Sequence, residues 1–251
     1  MLLFKNHISS MIKSGLVLST SLFSILSYAD VSGNIGVVSD YYSRGLDQTS
    51  GVSVQGSLDY AHASGFYLGS FASNVKWYDK TGDGVFDSDY EWDFYGGYSQ
   101  TIGQLNYDLG VFVVTYPNET KFNEYEIYAG LSYDLNPHAW PAILSTKVYY
   151  NPDHNSYLPD PKNQDESAWY VTAQADIQLK PDLTLTPQIG YAFGDALDQN
   201  RVGGLDKFIN YSLTLNKAFK DGFSASFAYV GTDIDDQDNK IVLGLKKSFD
   251  F

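Results

Sequence analysis

The chain has 251 residues, enough for one sizeable domain, with a formal charge of −14 and no cysteine. That charge opposes nucleic acid as a partner, because phosphate binding needs a basic surface. Absent thiols exclude disulfides, a thiolate metal site and a cysteine nucleophile.

The N-terminus reads as a secretory leader. Lys5 and Lys13 precede a short apolar run, Gly15 to Leu26, and Ser27-Tyr28-Ala29 ends in a small-x-small pattern. The run is shorter than the roughly 20 residues that span a bilayer as a helix, which disfavours an uncleaved anchor. Residues 1–29 are therefore expected to be a signal peptide and 30–251 the mature domain. No later apolar run reaches spanning length.

Beyond the leader the dominant period is two. At 52–60, Val52, Val54, Gly56, Leu58 and Tyr60 alternate with Ser53, Gln55, Ser57 and Asp59. Segment 67–77 puts Tyr67, Phe71, Val75 and Trp77 on its apolar face against Ser70, Asn74 and Lys76. Segment 169–179 alternates Trp169, Val171, Ala173, Ala175, Ile177 and Leu179 with Tyr170, Thr172, Gln174, Asp176 and Gln178. Segment 209–215 does the same, and the last strand carries Ile241, Leu243, Leu245, Phe249 and Phe251 on one parity. Strands of roughly 9–12 residues exceed those of a globular sheet and match a tilted membrane strand.

Connections of two kinds take turns. Short ones fall at His62–Gly65, Ile102–Gln104, Asn136–Pro141, Lys180–Asp182 and Lys220–Gly222, with hairpin chemistry. Longer polar loops fall at 44–51, 79–89, 117–123, 152–166, 195–206 and 233–239. Six long loops and five short turns join twelve strands, with both chain ends on the short-turn side. The fold class expected is all-β: a transmembrane antiparallel up-and-down β-barrel of about twelve strands. A soluble β-sandwich or ligand barrel also alternates. It fits less well with the strand length, with mid-strand charges such as Asp93 and Glu126, and with aromatics near strand ends. Those aromatics, read as two interfacial girdles, are Tyr41, Tyr60, Tyr67, Trp77, Trp92, Tyr98, Tyr125, Tyr133, Trp169 and Tyr191.

Segment 31–135 carries a resemblance. Val31-Ser32-Gly33-Asn34, Ser39-Asp40-Tyr41-Tyr42-Ser43-Arg44-Gly45 and Gln48-Thr49 open it, followed by Val54-Gln55-Gly56, Asp59-Tyr60 and Gly65-Phe66-Tyr67. Ala72-Ser73-Asn74-Val75, Tyr95-Gly96-Gly97-Tyr98, Tyr107-Asp108-Leu109-Gly110-Val111 and Tyr128-Ala129-Gly130-Leu131-Ser132-Tyr133 continue it. These runs resemble the TorF family of porin-like proteins. The resemblance implies an outer-membrane barrel and supplies no substrate. It is dense over the N-terminal half of the mature chain and rests on strand pattern in the C-terminal half.

Assigning the polar parity to the lumen makes Asp40, Arg44, Asp59, Lys76, Glu91, Asp93, Asp108, Glu124, Glu126, Lys147, Asp176 and Lys246 pore-lining. Eight acids against four bases would favour cations or neutral solutes; alternatively the charges pair and partly fill the lumen. Asp40 and Arg44 stand four apart on the first strand, as a substrate contact or a structural pair. No catalytic site, metal or cofactor is expected. Loop 79–89 imitates a calcium loop at Asp79, Asp83, Gly84 and Asp87 but lacks its acids at the third and twelfth positions. Acidic loops such as Asp233, Asp235, Asp236 and Asp238 could meet lipopolysaccharide through divalent ions. An Asp/His hydrolase would have to use His154 with Asp153, Asp160 or Asp165. The expected function is passive diffusion of small hydrophilic solutes across the outer membrane. The alternative is a structural or surface-interaction barrel with no open pore. Outer-membrane lipid, lipopolysaccharide and the barrel assembly machinery, which would read the C-terminal Phe251, are the expected partners.

Overall fold

The computed structural model describes residues 30–76, 88–117, 120–136, 141–154, 166–197, 207–235 and 237–251. The leader, Trp77, most of loop 79–89, Asp160, Asp165 and Asp236 lie outside the described residues. The first six strands are β1 (Asp30–Val38), β2 (Tyr42–Ser43), β3 (Leu46–Asp47), β4 (Ser53–Ala61), β5 (Phe66–Asn74) and β6 (Tyr90–Ile102). There follow β7 (Leu105–Thr115), β8 (Glu124–Asp134), β9 (Ala142–Asn151) and β10 (Ala168–Lys180). The last are β11 (Leu183–Phe193), β12 (Lys207–Ala218), β13 (Phe223–Thr232) and β14 (Lys240–Asp250).

All but β2 and β3 close into one antiparallel barrel, so twelve strands form the wall. Each pairs with its neighbours in sequence, and β1 seals against β14 from Ser32 opposite Asp250 to Val38 opposite Gly244. Closure leaves no unpaired sheet edge, the condition for a sheet surrounded by lipid. Long connections at 39–52, 75–89, 116–123, 152–167, 194–206 and 233–239 alternate with short ones at 62–65, 103–104, 135–141, 181–182 and 219–222. Gly103 opens the two-residue turn between β6 and β7 with φ 64°, a conformation that glycine adopts without a Cβ clash.

The outward parity is apolar and exposed. Ile35, Leu58, Leu68, Leu109, Val111, Ile127, Leu131, Leu144, Ile189, Leu213, Leu243 and Leu245 form a belt around the middle. At the loop end Trp92, Tyr125, Trp169, Tyr191, Tyr211 and Tyr229 ring it, and at the turn end Tyr60, Phe66, Tyr133, Phe223 and Phe249. Leaving so much apolar area in water would cost about 25 cal/mol per Å². An exterior of this kind has lipid as its solvent.

Strand β5 corrects the expected parity. Tyr67 and Val75 are buried inside at 7% and 3% exposure, with Phe71 on the same face, while Phe66 and Leu68 face outward at 62% and 65%. Phe66-Tyr67-Leu68 has no polar residue to mark a side. The register decides, placing Tyr67 opposite Gly97 and Phe71 opposite Asp93, both inward. Tyr41 likewise lies inside, at 7% exposure, and belongs to no girdle.

Candidate functional site

The first long connection turns into the barrel. Ser39 stays on β14, its N–H donating to the Leu243 carbonyl at 2.8 Å, and then β2 and β3 pair as a small hairpin. Its turn residues, Arg44 and Gly45, have φ of 50° and 80°, the two left-handed conformations of a type I′ turn. The base is tied by Asp40, whose Oδ1 accepts from Thr49 Oγ1 at 2.9 Å and from the Gly51 N–H at 3.0 Å. Burial pushes the Asp40 carboxyl above the ordinary carboxylate range, and these two hydrogen bonds oppose the shift.

The hairpin tip crosses the interior. Strands β9 and β10 stand opposite β1 and β4 in the ring, and Arg44 reaches them. Its Nη1 and Nη2 donate to Glu126 Oε1 and Oε2 on β8 at 2.7 and 2.6 Å. Its Cζ lies 4.4 Å from the ring centroid of Tyr170 and 5.0 Å from that of Tyr149. Gly45 abuts the next wall, where a Cβ would come within 2.6 Å of Asn210 Cβ. Leu46 packs with Tyr170, Leu197, Phe208 and Ile234. Tyr41 and Tyr42 join Val38, Val75, Tyr116, Phe122, Val230 and Val242. The described residues at the loop end pack closely around the hairpin: Asp93 and Phe208 are 1% exposed and Ser53 is fully buried. Toward the short turns, inner side chains of β4, β10, β11 and β14, including Asp59, Asp176, Thr186 and Lys246, are only half-buried.

One wall carries most of the charge. Glu91 on β6 accepts from the hydroxyls of Tyr41 and Tyr116 at 2.8 and 2.9 Å. On β7, Asp108 holds Lys147 Nζ at 2.7 Å and accepts from the Tyr67 hydroxyl at 2.5 Å. Lys147 Nζ also sits 4.2 Å from the Tyr128 ring centroid, and the Tyr128 hydroxyl is hydrogen-bonded to that of Tyr67. Glycine makes room for these tyrosines: a Cβ on Gly97 would meet Tyr67 Cζ at 2.8 Å, and one on Gly110 would meet Tyr128 Cζ at 2.5 Å. Asp59 accepts from the Tyr95 hydroxyl and, at 2.9 Å, from Ser57 Oγ. Asp176 accepts from Thr186 Oγ1 at 2.7 Å and Gln174 Nε2 at 3.1 Å. The inward residues of β11, β12 and β13 include no charged side chain.

A family model described as a bacterial protein of unknown function, Gcw_chp, matches residues 26–249 of this chain. The chain belongs to that family. The match does not carry the TorF name. Among curated proteins none matches. Solved porins share the Gcw_chp architecture. The KdgM porin aligns at a TM-score of 0.58 and 11% identity, over 87% of this chain and 99% of its own. The NanC porin aligns at 0.54 and 11%, over 88% and 97%. The COG4313 outer-membrane channel from Pseudomonas putida F1 aligns at 0.51 and 12%, over 90% and 97%. At such identity the likeness is one of fold.

The Gcw_chp barrel gathers Arg44, Glu91, Asp93, Glu124 and Glu126 near the loop end and Asp108 with Lys147 lower on the same wall. Asp59, Asp176 and Lys246 face the interior from other strands, Asp40 sits at the loop base, and Lys76 is exposed beyond β5. The first strand ends at Val38. Asp40 and Arg44 therefore share no strand: Arg44 pairs with Glu126 on β8, and Asp40 bonds to its own loop. His154 is buried at 6% exposure, its Nδ1 3.0 Å from Glu124 Oε1. Asp233, just past the end of β13, accepts from the Ile209 N–H of β12 at 2.6 Å. No metal-holding cluster of His, Cys, Asp or Glu occurs among the described residues. The inward hairpin escaped the sequence reading, which treated 44–51 as a plain polar loop. Its signals were Gly45 and the apolar Tyr41, Tyr42 and Leu46, residues that water would not hold in place.

Proposed function

We propose that this chain is an outer-membrane channel of porin type, passing small hydrophilic solutes by diffusion along a path narrowed by the β2–β3 hairpin. One observation carries the reading: the wall turns apolar side chains outward and polar ones inward, with half-buried inner groups toward the short turns. The shared fold of the KdgM and NanC porins supports it, as does the resemblance to TorF. The interior acids outnumber the bases, which favours cations or neutral solutes. KdgM is known in complex with oligogalacturonate; that polyanion does not suit the acid-rich wall here. Residues 1–29 would direct export, Phe251, 79% exposed, would be read by the assembly machinery, and the acidic outer loops would face lipopolysaccharide.

Planar-bilayer recording of the detergent-purified protein under a salt gradient tests the proposal. Discrete steps with a cation-selective reversal potential are the expected result. Two apolar clusters around the hairpin favour a second reading, a barrel with no open path. Silence from both the wild type and a form with 42–47 replaced by a Gly-Ser linker would establish that reading and end the first.

A further inference from the structure

The grip on Arg44 is unlike an ordinary surface ion pair. Glu126 is 3% exposed and Tyr170 5%, and the Arg44 side chain keeps 21%, so the guanidinium is largely withdrawn from water and compensated by a forked hydrogen-bond pair and two aromatic faces. Tyr149 and Tyr170 sit directly opposite each other on β9 and β10, with centroids 6.0 Å apart, so the wall itself supplies both rings. Asp93 is 1% exposed on the inner face of β6, the next inward position after Glu91 on the same acidic wall that holds Glu126. The cage thus belongs to the barrel wall, whereas its occupant is delivered on a two-residue turn.

That delivery is costly. Arg44 holds φ 50°, a left-handed conformation disfavoured for a residue with a Cβ. A turn made only to end a hairpin would take glycine or asparagine there. The void left beside the guanidinium, between Glu126, His154, Trp169, Tyr170 and Leu197, is about 10 Å³, room for a single water. A solute can enter this cage only by replacing the side chain already in it.

We propose that Glu126, Tyr149, Tyr170 and Asp93 form a binding site for organic cations with a guanidinium-like head, and that Arg44 is its tethered occupant. The inference rests on the channel reading for its biological sense, since a passing cation would displace Arg44 and loosen the hairpin. The binding chemistry stands without it. A tethered group competes at its own effective concentration, so removing it should expose the site.

Isothermal titration of detergent-purified protein with methylguanidinium tests this, with tetramethylammonium and sodium as controls. Arg44→Ala, and Arg44→Gly as a form that also relaxes the turn, should bind one equivalent at least about tenfold more tightly than the wild type. Adding Glu126→Gln to either should abolish that binding. In bilayers, the Arg44 variants should carry more current than the wild type, and the same ligand should reduce it. No heat of binding from folded Arg44→Gly, or equal binding after Glu126→Gln, would overturn the site. Binding without conductance in any form would overturn the channel and leave the site; conductance without binding would do the reverse.

Discussion

At the scale of single residues, the interior depends on pairs that tolerate the loss of neither member. Asp108 and Lys147 have side chains only 11% and 10% exposed. Removing one partner strands a charge away from water, which typically costs about 3 kcal/mol or more. Lys147→Met should lower the unfolding midpoint in urea markedly, and Lys147→Met with Asp108→Asn should recover part of it. A loss from the double variant equal to the sum of the singles would show that the pair is not coupled. Gly110 offers a steric counterpart. A methyl group there lands on the Tyr128 ring, so Gly110→Ala should cost about 1–3 kcal/mol by overpacking. It should also disturb the hydroxyl chain from Tyr128 through Tyr67 to Asp108. Gly103→Ala changes no packing, since nothing lies within 4 Å of its Cβ, and only the φ of 64° would resist it.

Among the elements, the long strands and the alternation of loop lengths were legible in the sequence because each depends on local chemistry: period two, and Gly, Pro or Asp at turns. Ten of the eleven connections fell within four residues of where the pattern put them, and the first began at 39 instead of 44. Strand β5 was misread because lipid outside and tyrosines inside accept the same side chains, so alternation lost its meaning at Phe66-Tyr67-Leu68. The charged wall was legible as parity, from Glu91 and Asp93 through Glu124 and Glu126. Which charge meets which partner was not, since Arg44 and Glu126 are 82 residues apart and only closure of the ring brings them together. The hairpin is the element on which function should turn. Replacing 42–47 by a short Gly-Ser linker should raise single-channel conductance severalfold while leaving the barrel's heat-modifiable migration on gels intact. Unchanged conductance would mean that the narrowing lies elsewhere.

For the whole molecule, the interior has two sides: an acidic, tyrosine-rich wall over β6–β9 and a neutral wall of hydroxyl and amide groups over β11–β13. Changing Asp93→Asn together with Glu126→Gln should shift the reversal potential in a salt gradient toward zero, because rings of charge set which ions enter. An unaltered cation preference would remove these acids from the selectivity mechanism. The hairpin also bears on how the chain reaches its final form. Its own residues come early, between β1 and β4, yet its anchors are Glu126, Tyr170 and Phe208, supplied by strands made much later. Ser39 finds Leu243 only 204 residues downstream. Contacts of such separation form slowly, because the loop entropy must be lost before they stabilise anything. Until β8 to β12 are in place the tip lacks its anchors, and until the seam shuts the wall remains an open trough. Seating of the hairpin and closure of the ring are then both late steps of assembly, set in the order of the chain itself.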